Sequence, residues 1–189
     1  TDGCALFSGE LGVENDRILY IGAGSDLDDF YKRTGKDCIV WDREIDCEGN
    51  VLMPGFKNAH THSAMVAMRS FADDMPLQEW LNTKIFPLEA KMTDQDNYDL
   101  TQLAILEYLT SGVTSIFDMY LSPKDIAQAC VDMGMRCVLV SGLNQFGPAL
   151  EVMEERYLNL NRMHPLITYM MGVHAEYTCP KELLEQVSG

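Results

Sequence analysis

The sequence predicts an α/β fold in which four strand-and-helix units follow one another, preceded over residues 1–50 by a region of short strands. Two observations carry this. Beyond Gly112, β-branched apolar runs alternate regularly with amphipathic stretches, and parallel strands need the crossovers that such alternation supplies. Those stretches are punctuated at their ends: Thr93 or Ser122-Pro123 stands before a helix, and Gly112 or Gly134 after one.

In order, Gly9 to Val13 and Arg17 to Ile21 read as strands joined at Glu14-Asn15-Asp16. A polar helix over Leu27 to Thr34 follows, then strands at Cys38 to Trp41 and Glu44 to Cys47. An apolar strand starts at Val51 and ends on His60 and His62. Next come a helix over Leu77 to Ile85 ended by Pro87, and one opened by Thr93 with Asp96 three residues on, its inward face Leu100, Leu103, Ala104 and Leu106. Val113 to Met119, Cys137 to Ser141 and Ile167 to His174 are the later strands. Between them lie helices with inward Ile126, Ala129, Cys130 and Met133, then Leu150, Met153, Tyr157 and Leu160; a last helix opens at Pro180 with Leu183, Leu184 and Val187 inward.

A hydrophobic share of 47% in 189 residues is enough for a core, and a formal charge of -15 argues against nucleic acid or an anionic membrane as partner. No apolar run approaches the roughly 20 residues of a bilayer-spanning helix. The cysteines (Cys4, Cys38, Cys47, Cys130, Cys137, Cys179) form no C-x-x-C and no secretory segment opens the chain, so reduced thiols in the cytoplasm are expected. The chain starts at Thr1 without an initiator methionine and stops after Ser188-Gly189; both ends look cut, and a longer parent protein is expected.

The stretch VLMPGFKNAHTHSAM, Val51 to Met65, holds two of the chain's four histidines. Residues two apart on a strand share a face, so His60 and His62 can hold one metal ion or be two half-exposed histidines. Ala59, Thr61 and Ser63 leave room for a pocket beside them. His174 ends an apolar strand and is either a functional strand-end residue or a capping histidine. Asp118, also at a strand end, can orient a neighbour or cap a loop. Glu89 is by itself an acid between helices, Trp80 packs its helix or stacks on a heterocycle, and His164 reads as a surface residue.

PGFKNAHTHSAM resembles the PGF-x-[ND]-x-H-x-H signature of the amidohydrolase superfamily. LQEWLNTKIFPLEAKMT, GVTSIFDMY, MGMRCVLVSGL and GVHAEYTCPKELL look most like the branch of methylthioadenosine and S-adenosylhomocysteine deaminases, with the chlorohydrolases of the same superfamily beside it. The resemblance implies the N-terminal part of a (β/α)8 TIM-type barrel, about four units over residues 51–189, preceded by part of a small β-sandwich over residues 1–50. It implies His60 and His62 as ligands of one divalent ion, zinc before iron, and Glu89 and His174 as substrate contacts. The activity implied is hydrolytic deamination of an aminated heterocycle or nucleoside by metal-activated water. The remaining ligands and the general base would lie beyond Gly189, so no catalytic acid or base is assigned here, and the 189 residues alone are expected to be inactive and poorly packed. Ser141 and Ala149 stand where related deaminases carry arginines, which points to a substrate without an acidic tail. Chlorohydrolase or amide-ring hydrolase chemistry, a phosphoesterase that also opens on H-x-H, and an inactive fragment or binding module remain the alternatives. The implied partner is a small-molecule substrate; assembly into a homo-oligomer is left open.

Overall fold

The computed structural model describes residues 6–24, 26–35, 39–145 and 147–188. The chain divides into two compact units, Thr1–Leu52 and Met53–Gly189. In the first, β1 (Glu10–Glu14) and β2 (Arg17–Gly22) form an antiparallel hairpin, followed by α1 (Asp26–Thr34). Asn15 turns the hairpin with a φ of 56°, a conformation asparagine tolerates well. Phe30 of α1 packs on Tyr20 with ring centroids 5.4 Å apart. The Trp41 indole lies so close over Gly12 that a Cβ there would come within 2.4 Å of it.

The second unit is built on a parallel sheet of order β3-β4-β5-β6, with β3 Phe56–Thr61, β4 Val113–Met119, β5 Arg136–Leu143 and β6 Ile167–Val173. A 3-10 helix, Ser63–Met68, follows β3 directly. Then α2 (Leu77–Trp80), a π turn (Leu81–Ile85) and α3 (Phe86–Glu89) run end to end. The long α4 (Asp94–Thr110) leads into β4, α5 (Pro123–Asp132) into β5 and α6 (Leu150–Leu160) into β6; α7 (Lys181–Ser188) comes last. The core lies between sheet and helices, where Ile116, Cys137, Leu139, Ile167 and Tyr169 meet Ile105, Ile126, Cys130 and Leu160.

The β/α alternation and all four parallel strands follow the sequence expectation. Several details differ. Over residues 39–47 no strand forms, and Cys38 lies outside the described residues, so the N-terminal sheet among them is the hairpin alone. Strand β3 is shorter than the apolar run from Val51 suggests; residues 51–55 belong to no strand. Pro87 does not end its helix. The π turn interrupts the i→i+4 ladder just before it, so its missing N–H falls where the ladder is already broken.

On α4 the buried positions are Asn97, Thr101, Ala104 and Ile105, while Leu103 and Leu106 are about half exposed. The inward stripe is thus polar at its start, and a count of apolar residues misplaces it. Ser122 precedes α5 as expected, but its hydroxyl bonds Asp94 (3.0 Å) and caps nothing. Tyr157 and Leu184 face solvent more than predicted, and the Val187 side chain lies outside the description.

Thr93 and Asp96 form a reciprocal capping box: Asp96 N–H donates to Thr93 Oγ1 and Thr93 N–H to the Asp96 carboxylate. The bonds that the carboxylate accepts from the Thr93 amide, foremost, and from the Thr93 hydroxyl hold the Asp96 carboxyl below its ordinary range. Replacing Thr93 by Ala should lower stability by about 0.5–2 kcal/mol in urea titrations at neutral pH. A carboxyl with a depressed folded pKa stabilises above its unfolded pKa and loses that contribution as pH falls through the folded value. Asp96→Asn should therefore flatten the acid limb of the stability curve.

Candidate functional site

The two histidines meet at the C-terminal end of β3. Their Nε2 atoms stand 3.2 Å apart, with the rings nearly perpendicular at 85°. His60 is on the strand and His62 one residue past it, at the start of the 3-10 helix. His62 Nδ1 is 2.5 Å from the Met119 carbonyl oxygen. A carbonyl only accepts, so Nδ1 carries the proton and Nε2 is left with its lone pair. Two nitrogens bound to one zinc at about 2.0–2.1 Å stand roughly 2.9–3.4 Å apart for angles between 90° and tetrahedral. The observed spacing fits that range, and one imidazole is already oriented as a ligand.

A shift of register positions this pair. Asn58 is level with Ile116 and Thr61 with Asp118, so three steps along β3 match two along β4. The extra residue keeps both Asn58 and Thr61 in register with residues of the helix-facing side. His60 and His62, which alternate with Thr61 and Ser63, face the other way and are exposed, whereas Thr61 and Ser63 are buried.

Ser63 lines a cavity beside His62, and both Thr61 and Ser63 end on Asp118. The carboxylate Oδ2 accepts from Thr61 Oγ1 (2.7 Å), from the Ser63 amide (2.8 Å) and from the Ser63 hydroxyl. Ser63 Oγ also meets the Tyr108 hydroxyl of α4 at 3.1 Å. Asp118 is fully buried and its Oδ1 has no partner. Burial pushes its carboxyl above the usual carboxylate range, against the pull of the Ser63 and Thr61 bonds.

Tyr120, just past β4, stands beside the pair, its ring 6.4 Å from that of His62. Burial, and next the charge of Glu89, push its phenol up, so the Glu89 carboxylate stands close to the Tyr120 hydroxyl. The Tyr120 hydroxyl also contacts Met92 Sδ at 3.6 Å. His174 follows β6 at the same end of the sheet, three strands across from β3, roughly 14 Å at the usual strand spacing. Its Nδ1 lies 2.9 Å from Thr178 Oγ1, whose own proton goes to the Ala175 carbonyl. Nδ1 is therefore the donor, and Nε2 keeps its lone pair as an acceptor. Close approach at Gly142 makes this placement possible, since a Cβ there would meet the His174 Cβ at 2.9 Å.

Ser141 is buried and faces α6, where Arg156 Nη1 donates to its hydroxyl at 3.0 Å. A guanidinium thus reaches Ser141 from the helix side, which the strand sequence alone does not show. Ala149 stands exposed just before α6, and Phe146 lies outside the described residues. Trp80 spends its indole N–H on the Phe71 carbonyl (3.1 Å), and with Met65, Met68, Phe71 and Tyr108 it lines a cavity of about 380 Å³ reaching His62. His164 bonds the Leu166 amide (3.2 Å) in its turn, consistent with a local structural part. Among the described residues no cluster of three or more metal-ligating side chains exists, and no helix is long and apolar enough to cross a membrane.

The sequence expectation placed Thr61 and Ser63 beside the histidines but missed their bonds to Asp118, and it missed Tyr120 and Arg156 altogether.

Comparison with known proteins extends these observations. The chain is 42% identical over 184 residues to a 5-methylthioadenosine/S-adenosylhomocysteine deaminase of Desulfitobacterium hafniense, covering 95% of this chain and 41% of that protein. It is 46% identical over 152 residues to the protein of the same name from Syntrophomonas wolfei, covering 78% and 35%. Among solved structures, the atrazine chlorohydrolase of Arthrobacter aurescens complexed with zinc superposes with a TM-score of 0.75 at 18% identity, over 95% of this chain and 45% of that one. Guanine deaminase from C. acetobutylicum with bound guanine gives 0.71 at 18%, over 89% and 41%. These superpositions show the fold, a parallel sheet of successive β/α-barrel units; the chain spans about two fifths of the length of the proteins it matches. The amidohydrolase family matches residues 51–188, a range that takes in every strand of the parallel sheet and both paired histidines, and the chain belongs to that family.

Proposed function

We propose that the protein is a metal-dependent hydrolase that deaminates an aminated heterocycle or nucleoside, with His60 and His62 as two ligands of one divalent ion. The observation that carries this is the pair of opposed Nε2 atoms 3.2 Å apart at the C-terminal end of a parallel β/α sheet, the end where such barrels place their chemistry. The names of the curated relatives support deamination, and the zinc of the chlorohydrolase structure supports zinc as the ion. When bound, the ion supplies a water acidic enough to act as nucleophile near neutral pH. The remaining ligands and the general base come, in this reading, from strands outside this chain.

The chain's own residues hold and orient. The Met119 carbonyl holds the His62 Nδ1–H, which leaves Nε2 as the ligating atom. Glu89, beside Tyr120, offers two acceptor oxygens to a vicinal pair of substrate hydroxyls, and His174 Nε2 accepts from a polar group farther along. The roughly 14 Å between β3 and β6 suits a substrate larger than a bare base. Arg156 is committed to Ser141 on the helix side of β5, so no guanidinium of the described residues faces the histidines from this strand. An uncharged nucleoside therefore fits better than one with an amino-acid tail.

His60→Ala or His62→Ala in the full protein should strip most of the metal in elemental analysis; unchanged stoichiometry in both would remove the metal reading. Ammonia release measured over adenosine, methylthioadenosine, S-adenosylhomocysteine, guanine, cytosine and aminotriazines should be fastest for an uncharged nucleoside. A clear preference for S-adenosylhomocysteine would show the tail argument wrong. Glu89→Gln should raise KM for a nucleoside by about 10-fold or more, as expected for loss of a hydrogen bond to a charged group, with a smaller effect on a substrate lacking ribose.

A further inference from the structure

The geometry points to Asp118 as a positioning residue for the metal pair, acting through Thr61 and Ser63 to set the direction of His60 and His62. The inference rests on the metal reading above and adds a residue to it. Among the described residues, every hydrogen bond to the Asp118 carboxylate comes from the two residues interleaved with the histidines: Thr61 Oγ1, Ser63 N and Ser63 Oγ, all on Oδ2. The residue after it supplies the carbonyl that holds His62 Nδ1, so one turn of chain on β4 grips β3 from both sides of the strand. Thr61 Oγ1 is further shared with the Phe117 carbonyl at 3.1 Å, which leaves its side chain little room to rotate.

The price of this arrangement is visible in the structure. Asp118 is 0% exposed and its Oδ1 is unpaired, and a buried polar atom without a partner destabilises a fold. An apolar side chain would pack the same place without that cost. What an apolar residue cannot do is fix the backbone angle of β3 at the register shift between Asn58 and Thr61. Two imidazoles that must converge to within a few tenths of an ångström need that angle held, because metal affinity falls steeply with misdirected lone pairs.

The test uses the full protein with zinc as probe. Apo-protein is titrated against a chromophoric zinc chelator, and the visible absorption of the cobalt(II)-substituted form is recorded as a signature of ligand geometry. Asp118→Ala should weaken zinc binding about 10–100-fold and alter the cobalt spectrum. Asp118→Asn keeps one acceptor oxygen in place and should bind zinc within a few-fold of wild type. Ile126→Ala, a cavity in the core away from the pair, should lower Tm without changing zinc affinity. If Asp118→Ala does not fold, Thr61→Val and Ser63→Ala carry the test; each should weaken zinc binding several-fold. Wild-type affinity in Asp118→Ala, or in both hydroxyl variants, overturns the inference. Zinc binding that depends on His60 and His62 yet ignores Asp118 overturns it alone, whereas wild-type protein that binds no zinc overturns the metal reading together with it.

Discussion

The C-terminal end of the parallel sheet depends on one buried carboxylate that takes its hydrogen bonds from the neighbouring strand. In a parallel pair the ladder bonds are slanted and slightly weaker than in an antiparallel one, and here the ladder between β3 and β4 is broken by a register shift just where the histidines begin. Asp118 replaces the missing ladder contacts with bonds from Thr61 and Ser63. The segment after His62 is then held from a second direction. Tyr108 of α4 meets Ser63, and Arg69 forms a two-pronged pair with Glu107 of α4 at 3.1 and 2.6 Å. That exposed ion pair adds little stability by itself, but it fixes where the chain goes on leaving the 3-10 helix.

Local rules made much of this legible. The βα alternation, the Thr93 capping box, the helix starts at Pro123 and near Pro148, and the strand at Val113 to Met119 all follow from nearest-neighbour chemistry: caps, breakers and period-2 apolar runs. The histidine pair was legible for the same reason, since same-face spacing on a strand is a local property. What could not be read was which side of the sheet a strand-end residue faces. Asp118 and Ser141 end their strands much as His174 does, yet both look toward the helices because their neighbours Ile116 and Leu139 are core residues. Facing is set by which layer of side chains a strand must bury, and that depends on helices distant in sequence.

The same limit explains Arg156 and Tyr120. Arg156 reaches Ser141 across fifteen residues, through the return of α6 onto β5. Tyr120 comes near Glu89, thirty-one residues earlier, through the placement of α3 against the end of β4. Each of these contacts requires two elements to be placed first. Buried polar residues compound the difficulty: Asn97 and Thr101 sit inward on α4 because their side chains bond carbonyls one turn back, Asn97 to Thr93 and Thr101 to Asn97. A stripe drawn through the leucines misses them.

The register shift in β3 also bears on how such a sequence can vary over generations. From His60 to Ser63 the ligand-like and anchoring side chains occupy alternate positions on one short ribbon. A point substitution at a histidine changes the chemistry and leaves the anchor intact, and a point substitution at Thr61 or Ser63 does the reverse. Loss or gain of a single codon within this stretch does neither cleanly, because it would exchange the two sets, turning imidazoles toward the helices and hydroxyls toward the open face. The stretch is thus free to drift in letters and fixed in length, while the loops on either side of α6 carry no such alternation and can absorb insertions.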